Sequence, residues 1–193
     1  SEAGKLPTAD LILFAAADCT GHGVPGAMVS VVCSNALNRT VKEFNITDPG
    51  KILDKVRELV IETFQKSENE VKDGMDISLC SLNLKTKEIK WAGANNPLWY
   101  IHSPLEKGGG QRPGDCVLTE IKADKQPIGK YADEKPFTTH TLQLKKDDII
   151  YIFTEGFADQ FGGPKGKKFK YKQLSNLLIS SSKKEMQEQK NIL

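Results

Sequence analysis

The segment that most constrains the fold is an unbroken apolar run followed at once by a glycine-rich turn. Residues 11–17 read Leu-Ile-Leu-Phe-Ala-Ala-Ala, and residues 18–23 read Asp-Cys-Thr-Gly-His-Gly. The length of the run is typical of a strand covered on both faces, although a buried helix has the same pattern. Pro25 lies just past the turn, where proline favours the first turn of a helix. The sequence therefore predicts a strand, a tight turn and a helix in succession.

Two amphipathic helices are predicted after this turn. In the first, apolar residues recur at three- and four-residue steps from Val29 to Phe44, so one face is apolar for about four turns. Asp48 and Pro49 then supply the cap and first position of a second helix. The expected buried face of that helix consists of Ile52, Val56, Leu59, Val60 and Thr63.

From Met75 onward the apolar residues recur with a period of two. The phase reverses between Leu79 and Leu82, which indicates either a bulge or a strand covered on both faces. Residues 85–87 fit a hairpin turn. Further strands are expected at 88–91, 98–102, 117–121, 137–142 and 149–153. Near the end, a helix is predicted through Tyr171, Leu174, Leu177 and Leu178, and another is predicted from the capping-box spacing of Ser182 and Glu185.

This order of elements favours an α+β domain with mainly antiparallel sheets over a doubly wound parallel sheet. The chain has 193 residues, of which 38% are hydrophobic, so it is long and apolar enough for one buried core. The glycine- and proline-rich segment 103–115 is interpreted as a surface loop between strands. We therefore expect residues 1–193 to form a single domain.

Composition excludes several classes of protein. With 27 basic and 25 acidic residues the formal net charge is +2, which argues against a nucleic-acid-binding domain. No apolar run approaches the roughly 20 residues needed to cross a bilayer. The four cysteines show no C-x-x-C pair, so they are interpreted as reduced thiols of a cytosolic protein rather than a disulfide frame or zinc site; they are Cys19, Cys33, Cys80 and Cys116.

Asp18 is the first candidate for chemistry, because it follows a predicted strand and precedes a glycine-rich turn into a helix. Glycine lets the backbone approach a ligand closely, and the free N–H groups of a helix N-terminus favour anions. This arrangement suits a hard cation held by carboxylate and carbonyl oxygens, with a phosphate bridging to it. The alternative is a tight strand-to-helix turn in which Asp18 acts only as a cap.

Glu155 repeats this pattern, because Thr154-Glu155-Gly156 follows the apolar strand predicted at 149–153. Two strand-end carboxylates at one rim could share one or two divalent ions. Two such ions roughly 3.5–4 Å apart would polarise a phosphate and lower the pKa of a bound water. The alternative is that Glu155 is an ordinary turn residue.

The remaining candidates are weaker. Asp76 interrupts an apolar run and is expected to point inward near the site, whereas Asp73 is explained by an Asp-Gly turn. Asn95 is interpreted first as a turn residue and second as a phosphate contact. His22 is either a general acid or a residue that steadies the glycine turn.

Two further groups of residues are interpreted as structural or solvated. His102 and His140 lie in predicted strands and are expected to be structural. The lysines of segment 165–172 could meet an acidic partner or a phosphopeptide, but a solvated loop explains them as well.

Five stretches carry a family resemblance. Residues 15–27, Ala-Ala-Ala-Asp-Cys-Thr-Gly-His-Gly-Val-Pro-Gly-Ala, resemble the metal-site motif of PPM-type (protein phosphatase 2C-like) serine/threonine phosphatases of the stage II sporulation protein E branch. Asp-Gly-Met-Asp at 73–76, Trp-Ala-Gly-Ala-Asn-Asn-Pro at 91–97, Gln-Pro-Ile-Gly at 126–129 and Thr-Glu-Gly-Phe-Ala-Asp-Gln-Phe-Gly-Gly at 154–163 follow in the family's order.

The resemblance implies a four-layer α-β-β-α sandwich, in which two mainly antiparallel sheets are flanked by helix pairs. It also implies two Mg²⁺ or Mn²⁺ ions and hydrolysis of phosphoserine or phosphothreonine by a metal-bound hydroxide. Asp18 would bridge the metals, the Cys19 carbonyl would ligate one of them, and Glu155 would take the place of the later metal-binding carboxylate. Candidates to contact the phosphate or support the ligands are Gly21, His22, Gly23, Asp76 and Asn95.

The resemblance also implies a biological setting. Relatives are bacterial signalling outputs, including those of two-component systems, and are often attached to sensor or receiver domains. The expected substrate is a phosphorylated anti-sigma-factor antagonist, and no nucleic-acid partner is expected. A homodimer is left open. The expected location is the cytoplasm, either as a free protein or as the cytoplasmic part of a larger membrane-anchored sensor.

Three departures from the family pattern qualify this expectation. No Gly-Gly-Asp motif precedes Asp18, the sequence stops at Leu193 before the Asp-Asp strand with which the family ends, and Glu155 stands where the family usually has Asp. Residues 1–193 are therefore expected to be a domain truncated at both ends. The alternative function is a catalytically silent phosphatase-like module that relays a sensor signal to a partner protein.

Overall fold

A computed structural model describes residues 10–65, 74–102, 117–162 and 166–193. Asp73, Cys116 and the loop expected at 103–115 lie outside the described residues. The elements in chain order are β1 (Leu11–Cys19), α1 (Gly23–Lys42), α2 (Pro49–Gln65), β2 (Met75–Asn83), β3 (Glu88–Ala94), β4 (Leu98–Ile101), β5 (Leu118–Ile121), β6 (His140–Gln143), β7 (Ile149–Ile152), α3 (Glu155–Ala158), β8 (Phe161–Gly162), β9 (Lys167–Lys168), α4 (Tyr171–Ser181) and α5 (Met186–Ile192).

The strands form two antiparallel sheets that lie between helices. The first sheet has the order β1-β2-β3-β6, the second has the order β5-β4-β7, and β8 and β9 form a separate small hairpin. Helices α1 and α2 pack on the outer face of the first sheet, and α4 packs on the outer face of the second. A third cluster, around Trp91 and Leu98, fills the space between the sheets. The expected α+β sandwich is confirmed.

Strand β2 shows why its apolar phase reverses. Its nine residues pair one-to-one with β1, from Met75 opposite Cys19 to Asn83 opposite Leu11. Ile77 and Leu79 belong to the cluster under α1 and α2, whereas Cys80 belongs to the cluster between the sheets. Of the two expected explanations, two covered faces is therefore the right one.

Strand β1 corrects one expectation. Among the described strands it lies at the edge of the first sheet, and Ile12 is 44% exposed, so the prediction of a strand covered on both faces is wrong for this part of the chain. Its apolar content has another cause. Leu13 packs against the cluster under α1 and α2, and Phe14 packs against the cluster between the sheets. Successive side chains of β1 thus pack on opposite faces of the sheet, and because of its edge position neither face of β1 is fully covered.

Helices α1 and α2 confirm the predicted amphipathic pair, with one error in the buried face. The Lys51 N–H donates to Asp48 Oδ1 at 3.2 Å, so Asp48 caps α2 as expected. Thr63 is exposed, and its hydroxyl donates to the Leu59 carbonyl at 2.7 Å. Leu53, which is fully buried, belongs to the buried face instead.

The C-terminal helices are confirmed, but the capping box is not. The Ser182 hydroxyl donates to the Ile179 carbonyl at 2.8 Å, so Ser182 closes α4 rather than opening α5. Helix α5 begins at Met186. Strand β6 begins later than expected, at His140, whose ring lies 5.3 Å from that of Trp91. None of the helices in the described part of the chain combines the length and apolarity of a membrane span.

Candidate metal and phosphate site

The end of β1, the following turn and one face of α1 enclose a cavity of about 580 Å³. The predicted residues Asp18, Cys19, Gly21, His22 and Gly23 all line it. The cavity extends along α1 to residues that the sequence analysis did not select, and they are Gly26, Ala27, Ser30, Cys33, Ser34 and Leu37. The helical spacing of these mostly small residues is the signal that could have identified them.

The turn between β1 and α1 depends on glycine. Gly21 and Gly23 have φ values of +90° and +64°, which favour glycine. A Cβ added to Gly26 would lie 2.7 Å from the carbonyl carbon and oxygen of Gly21, so the first turn of α1 packs directly on the turn backbone. His22 occupies the N-cap position but its side chain makes no capping hydrogen bond. The first N–H groups of α1 therefore lack a side-chain acceptor from the N-cap, an arrangement that favours an anion.

Thr20 fixes this turn to the start of β2. Its N–H donates to the Gly74 carbonyl at 2.9 Å, and its hydroxyl oxygen accepts from the Gly74 N–H at 2.8 Å. Gly74 itself has no room for a side chain, because an added Cβ would lie 2.2 Å from the Ile128 carbonyl oxygen. These contacts determine where the end of β1 lies relative to β2.

Asp18, Asp76 and Asn95 are brought together by strand pairing. Asp18 and Asp76 are directly opposite each other in the β1–β2 ladder. The Asn95 Nδ2 group donates to Asp76 Oδ1 at 2.8 Å. Asn95 has a φ of +59°, and its N–H donates to the Asp124 carbonyl at 2.9 Å. The turn at Asn95 thus holds its amide against the Asp76 carboxylate.

The electrostatics of this trio favour a cation. Burial raises the pKa of Asp76, the Asn95 hydrogen bond lowers it, and the negative charge of Asp18 raises it again. Two neighbouring carboxylates repel each other, and a divalent ion between them would offset that repulsion. Carboxylate oxygens are the ligands that Mg²⁺ and Mn²⁺ prefer. The carboxylate oxygens of Asp18 and Asp76 are therefore donor atoms of the type that a hard divalent cation binds. Within the described residues, no group of three or more His, Cys, Asp or Glu side chains is arranged to hold a metal ion.

Glu155 lies in a different environment. It is the first residue of α3, is exposed and does not line the cavity at Asp18. Its charge acts on Tyr171, whose pKa is raised by burial and then by Glu155, Asp159 and Glu120. The sharing of metal ions by Asp18 and Glu155 stays a prediction, as do the roles of the Cys19 carbonyl and of His22.

Known proteins share this fold. The PP2C domain of SiaA from Pseudomonas aeruginosa superposes with a TM-score of 0.75 at 24% identity, over 96% of this chain and 66% of that one. The PP2C phosphatase domain of SpoIIE from Bacillus subtilis was solved with a fragment of its regulatory domain. It superposes with a TM-score of 0.62 at 16% identity, over 91% of this chain and 45% of that one. RsbX in complex with magnesium superposes with a TM-score of 0.51 at 16% identity, over 91% of this chain and 77% of that one.

The chain spans less than two thirds of the SiaA and SpoIIE structures. The comparison with curated protein sequences gave no significant match.

Two helix-covered antiparallel sheets, matched over nearly the whole chain by these structures, define a protein phosphatase 2C-like domain. The model of the family described as stage II sporulation protein E (SpoIIE) matches residues 8–193. The chain belongs to this family, and the resemblance noted in the sequence is confirmed.

Proposed function

We propose that this domain is a metal-dependent phosphoserine/phosphothreonine protein phosphatase that acts as a bacterial signalling output. The observation that carries the proposal is the Asp18–Asp76 carboxylate pair beside the glycine turn that opens α1. Asp18 and the N-terminus of α1 line one cavity, so a carboxylate that can bind a cation lies beside backbone N–H groups that favour a phosphate.

The residues of the chain take the following roles in this proposal. Asp18, the Cys19 carbonyl and Glu155 hold Mg²⁺ or Mn²⁺, with two ions in the complete domain. A divalent ion there supplies Lewis-acid polarisation of the phosphoryl group and acidifies a water molecule. The N–H groups of α1 after Gly23 seat the phosphate oxygens. Asn95 holds the Asp76 carboxylate in position through its hydrogen bond.

Release of phosphate from a phosphopeptide and from p-nitrophenyl phosphate by the full-length protein, with and without Mn²⁺, tests this function. Asp18→Asn is expected to lower the Mn²⁺-dependent rate at least about 100-fold, because it removes a ligand charge while keeping the shape of the side chain. Asp133→Asn is the matched control, since Asp133 pairs with Lys135 on the surface and is expected to keep the wild-type rate. An unchanged rate in Asp18→Asn would contradict the assigned metal role.

Titration calorimetry with Mn²⁺ separates this function from the alternative. Wild-type protein that binds Mn²⁺ and releases phosphate is an enzyme. Full-length protein that binds no Mn²⁺ and releases no phosphate is instead the catalytically silent interaction module, which relays a sensor signal to a partner.

The biological setting belongs to the same proposal. The substrate is a phosphorylated protein of the anti-sigma-factor-antagonist type, and the domain is attached to a sensor or receiver domain in the cytoplasm. The B. subtilis SpoIIE structure, which includes a fragment of a regulatory domain, supports such an attachment. Pull-down of phosphorylated proteins with the Asp18→Asn variant tests the substrate class.

A further inference from the structure

A second cavity of about 620 Å³ lies between α3, the β8–β9 hairpin, α4 and the end of α5. Its apolar lining includes Phe161, Phe169, Leu177 and Ile192, and Lys167 and Lys168 also line it. We call this cavity, defined by these six residues, the Lys-Phe groove. It lies apart from the cavity at Asp18, since the two have no lining residue in common.

The groove exposes apolar side chains that have little cover. Phe161 is 72% exposed and Ile192 is 37% exposed. Single exposed apolar residues are common, but several that line one concavity are typical of a binding surface. Phe169 is better supported, because its ring packs edge-on against that of Phe157, with the ring centroids 5.8 Å apart. The groove therefore offers apolar area on a partly fixed support.

The charge of the surrounding segment is strongly positive. Residues 155–193 contain eight lysines and four acidic residues, a net charge of +4, so residues 1–154 carry a net charge of −2. At the groove, Lys168 pairs with Asp159 at 2.8 Å, and both side chains are about half exposed. Among the described residues, Lys167 forms no ion pair. The groove thus combines apolar walls with two lysines, of which Lys168 is paired with Asp159 and Lys167 has no carboxylate partner among the described residues.

We propose that the Lys-Phe groove binds an acidic segment with apolar side chains on the phosphoprotein substrate. This inference rests on the proposed phosphatase function. Acidic side chains would pair with Lys167 and Lys168 while apolar ones cover Phe161 and Ile192. Phe157, which also lines the groove, lies two residues after Glu155 in α3, so the groove adjoins the residue that the proposed function makes a metal ligand.

The shape of the groove favours a peptide over a lipid surface. Lysine and phenylalanine side chains together also suit an anionic membrane. However, a membrane surface is flat and cannot fill a concavity, whereas a polypeptide segment can. A cavity of this size is within the range of roughly 300–1,000 Å³ that is usual for ligand pockets.

Fluorescence anisotropy tests the groove without catalysis. The probes are a fluorescein-labelled peptide rich in Glu and Leu and a matched peptide with every Glu replaced by Gln. Wild-type protein is expected to bind the acidic peptide about tenfold more tightly than the neutral one. Lys167→Glu/Lys168→Glu is expected to abolish the difference, and Lys167→Arg/Lys168→Arg is expected to keep it. Phe161→Ala is expected to weaken binding of both peptides about threefold.

The matched control is Lys42→Glu/Lys51→Glu, which makes the same change of charge at exposed lysines of α1 and α2. It is expected to bind both peptides as the wild type does. Equal binding of the acidic and neutral peptides by wild-type protein would overturn the proposal. So would sedimentation with phosphatidylglycerol vesicles in the absence of peptide binding, since that result assigns the groove to a membrane.

Kinetics connect the groove to catalysis. With a phosphoserine peptide that carries the same acidic segment, Lys167→Glu/Lys168→Glu is expected to raise KM about tenfold with little change in kcat. Hydrolysis of p-nitrophenyl phosphate, which is too small to reach the groove, is expected to stay at the wild-type rate. If wild-type protein binds the acidic peptide but hydrolyses neither compound, the phosphatase function fails while the groove remains a binding site.

Discussion

The two outer layers of the sandwich differ greatly in how well they are packed. Among the described residues, fifteen buried residues form the cluster under α1 and α2, whereas Trp99, Leu174 and Leu178 are the only buried members of the cluster under α4. Asp18, Asp76 and Asn95 are attached to the first sheet, and Glu155 follows the second. The candidate ligands are therefore held by supports of unequal stiffness, and local opening is expected first on the side of Glu155.

The largest expected effect comes from the well-packed layer. Leu53 is fully buried in α2, and Leu53→Ala is expected to lower the free energy of unfolding by about 3 kcal/mol, because the tight surroundings cannot collapse into the cavity. Urea unfolding followed by circular dichroism measures this loss. A loss below about 1 kcal/mol would contradict the rigid packing of this layer.

The matched truncation in the other layer is Leu178→Ala in α4. Leu178 is 2% exposed, but several of its neighbours are only partly buried and can move to fill the space. The expected loss is about 2 kcal/mol in the same unfolding experiment. A loss equal to or larger than that of Leu53→Ala would remove the difference between the two layers.

A partly buried hydrogen bond gives a smaller effect in the second layer. The Trp99 indole N–H donates to Glu120 Oε2 at 2.8 Å, and Trp99 is 4% exposed. Glu120→Ala leaves that N–H without its acceptor and is expected to cost about 1 kcal/mol of unfolding free energy. Because the charge of Glu120 also raises the pKa of Tyr171, the same variant should lower that pKa in a spectrophotometric titration. An unchanged Tyr171 pKa would contradict the charge interaction.

The smallest effect concerns Asp76 and depends on pH. Its pKa in the folded protein is raised above 3.8, so the folded state holds the proton more tightly than the unfolded state. The contribution of Asp76 to the free energy of unfolding is therefore fully present below pH 3.8, and it is lost as the pH rises through the pKa of the folded state. Asp76→Asn removes that loss, so the variant is expected to be more stable than wild type at pH 7.

Urea unfolding at pH values from acidic to neutral measures the difference between Asp76→Asn and wild type, which should vanish at acidic pH. Asp18→Asn, which removes the neighbouring negative charge, should produce part of the same gain. A variant Asp76→Asn that is less stable than wild type at pH 7 would show that the carboxylate is stabilising there.

Periodicity predicted the elements better than their surroundings. The three- and four-residue steps of α1 and the cap of α2 depend on neighbouring residues, and both predictions are confirmed. The edge position of β1 depends on which strands pair, and an apolar run contains no information on that. The Ser182 hydroxyl failed as a helix-opening cap because the Ile179 carbonyl, three residues earlier, is also within its reach.

The site could be predicted only in part, because some of its contacts depend on residues that are distant in the sequence. The strand-end position of Asp18 could be read from the sequence, and so could the glycine turn after it. The hydrogen bond from Asn95 to Asp76 could not, because the turn that presents Asn95 is held by the Asp124 carbonyl of a distant segment. Glu155 matched the pattern of Asp18 along the chain, yet it begins α3 after the second sheet and has its own acidic neighbours.

The contact between Gly21 and Gly26 has a mechanical consequence. Because a Cβ at Gly26 would lie 2.7 Å from the Gly21 carbonyl, backbone meets backbone there with no side chain between them. Side chains usually absorb small displacements by changing rotamer, and this contact has none to change. If α1 slides or rotates, the Gly21 peptide, three residues after Asp18, is therefore expected to move with it, because no side chain lies between the two backbones.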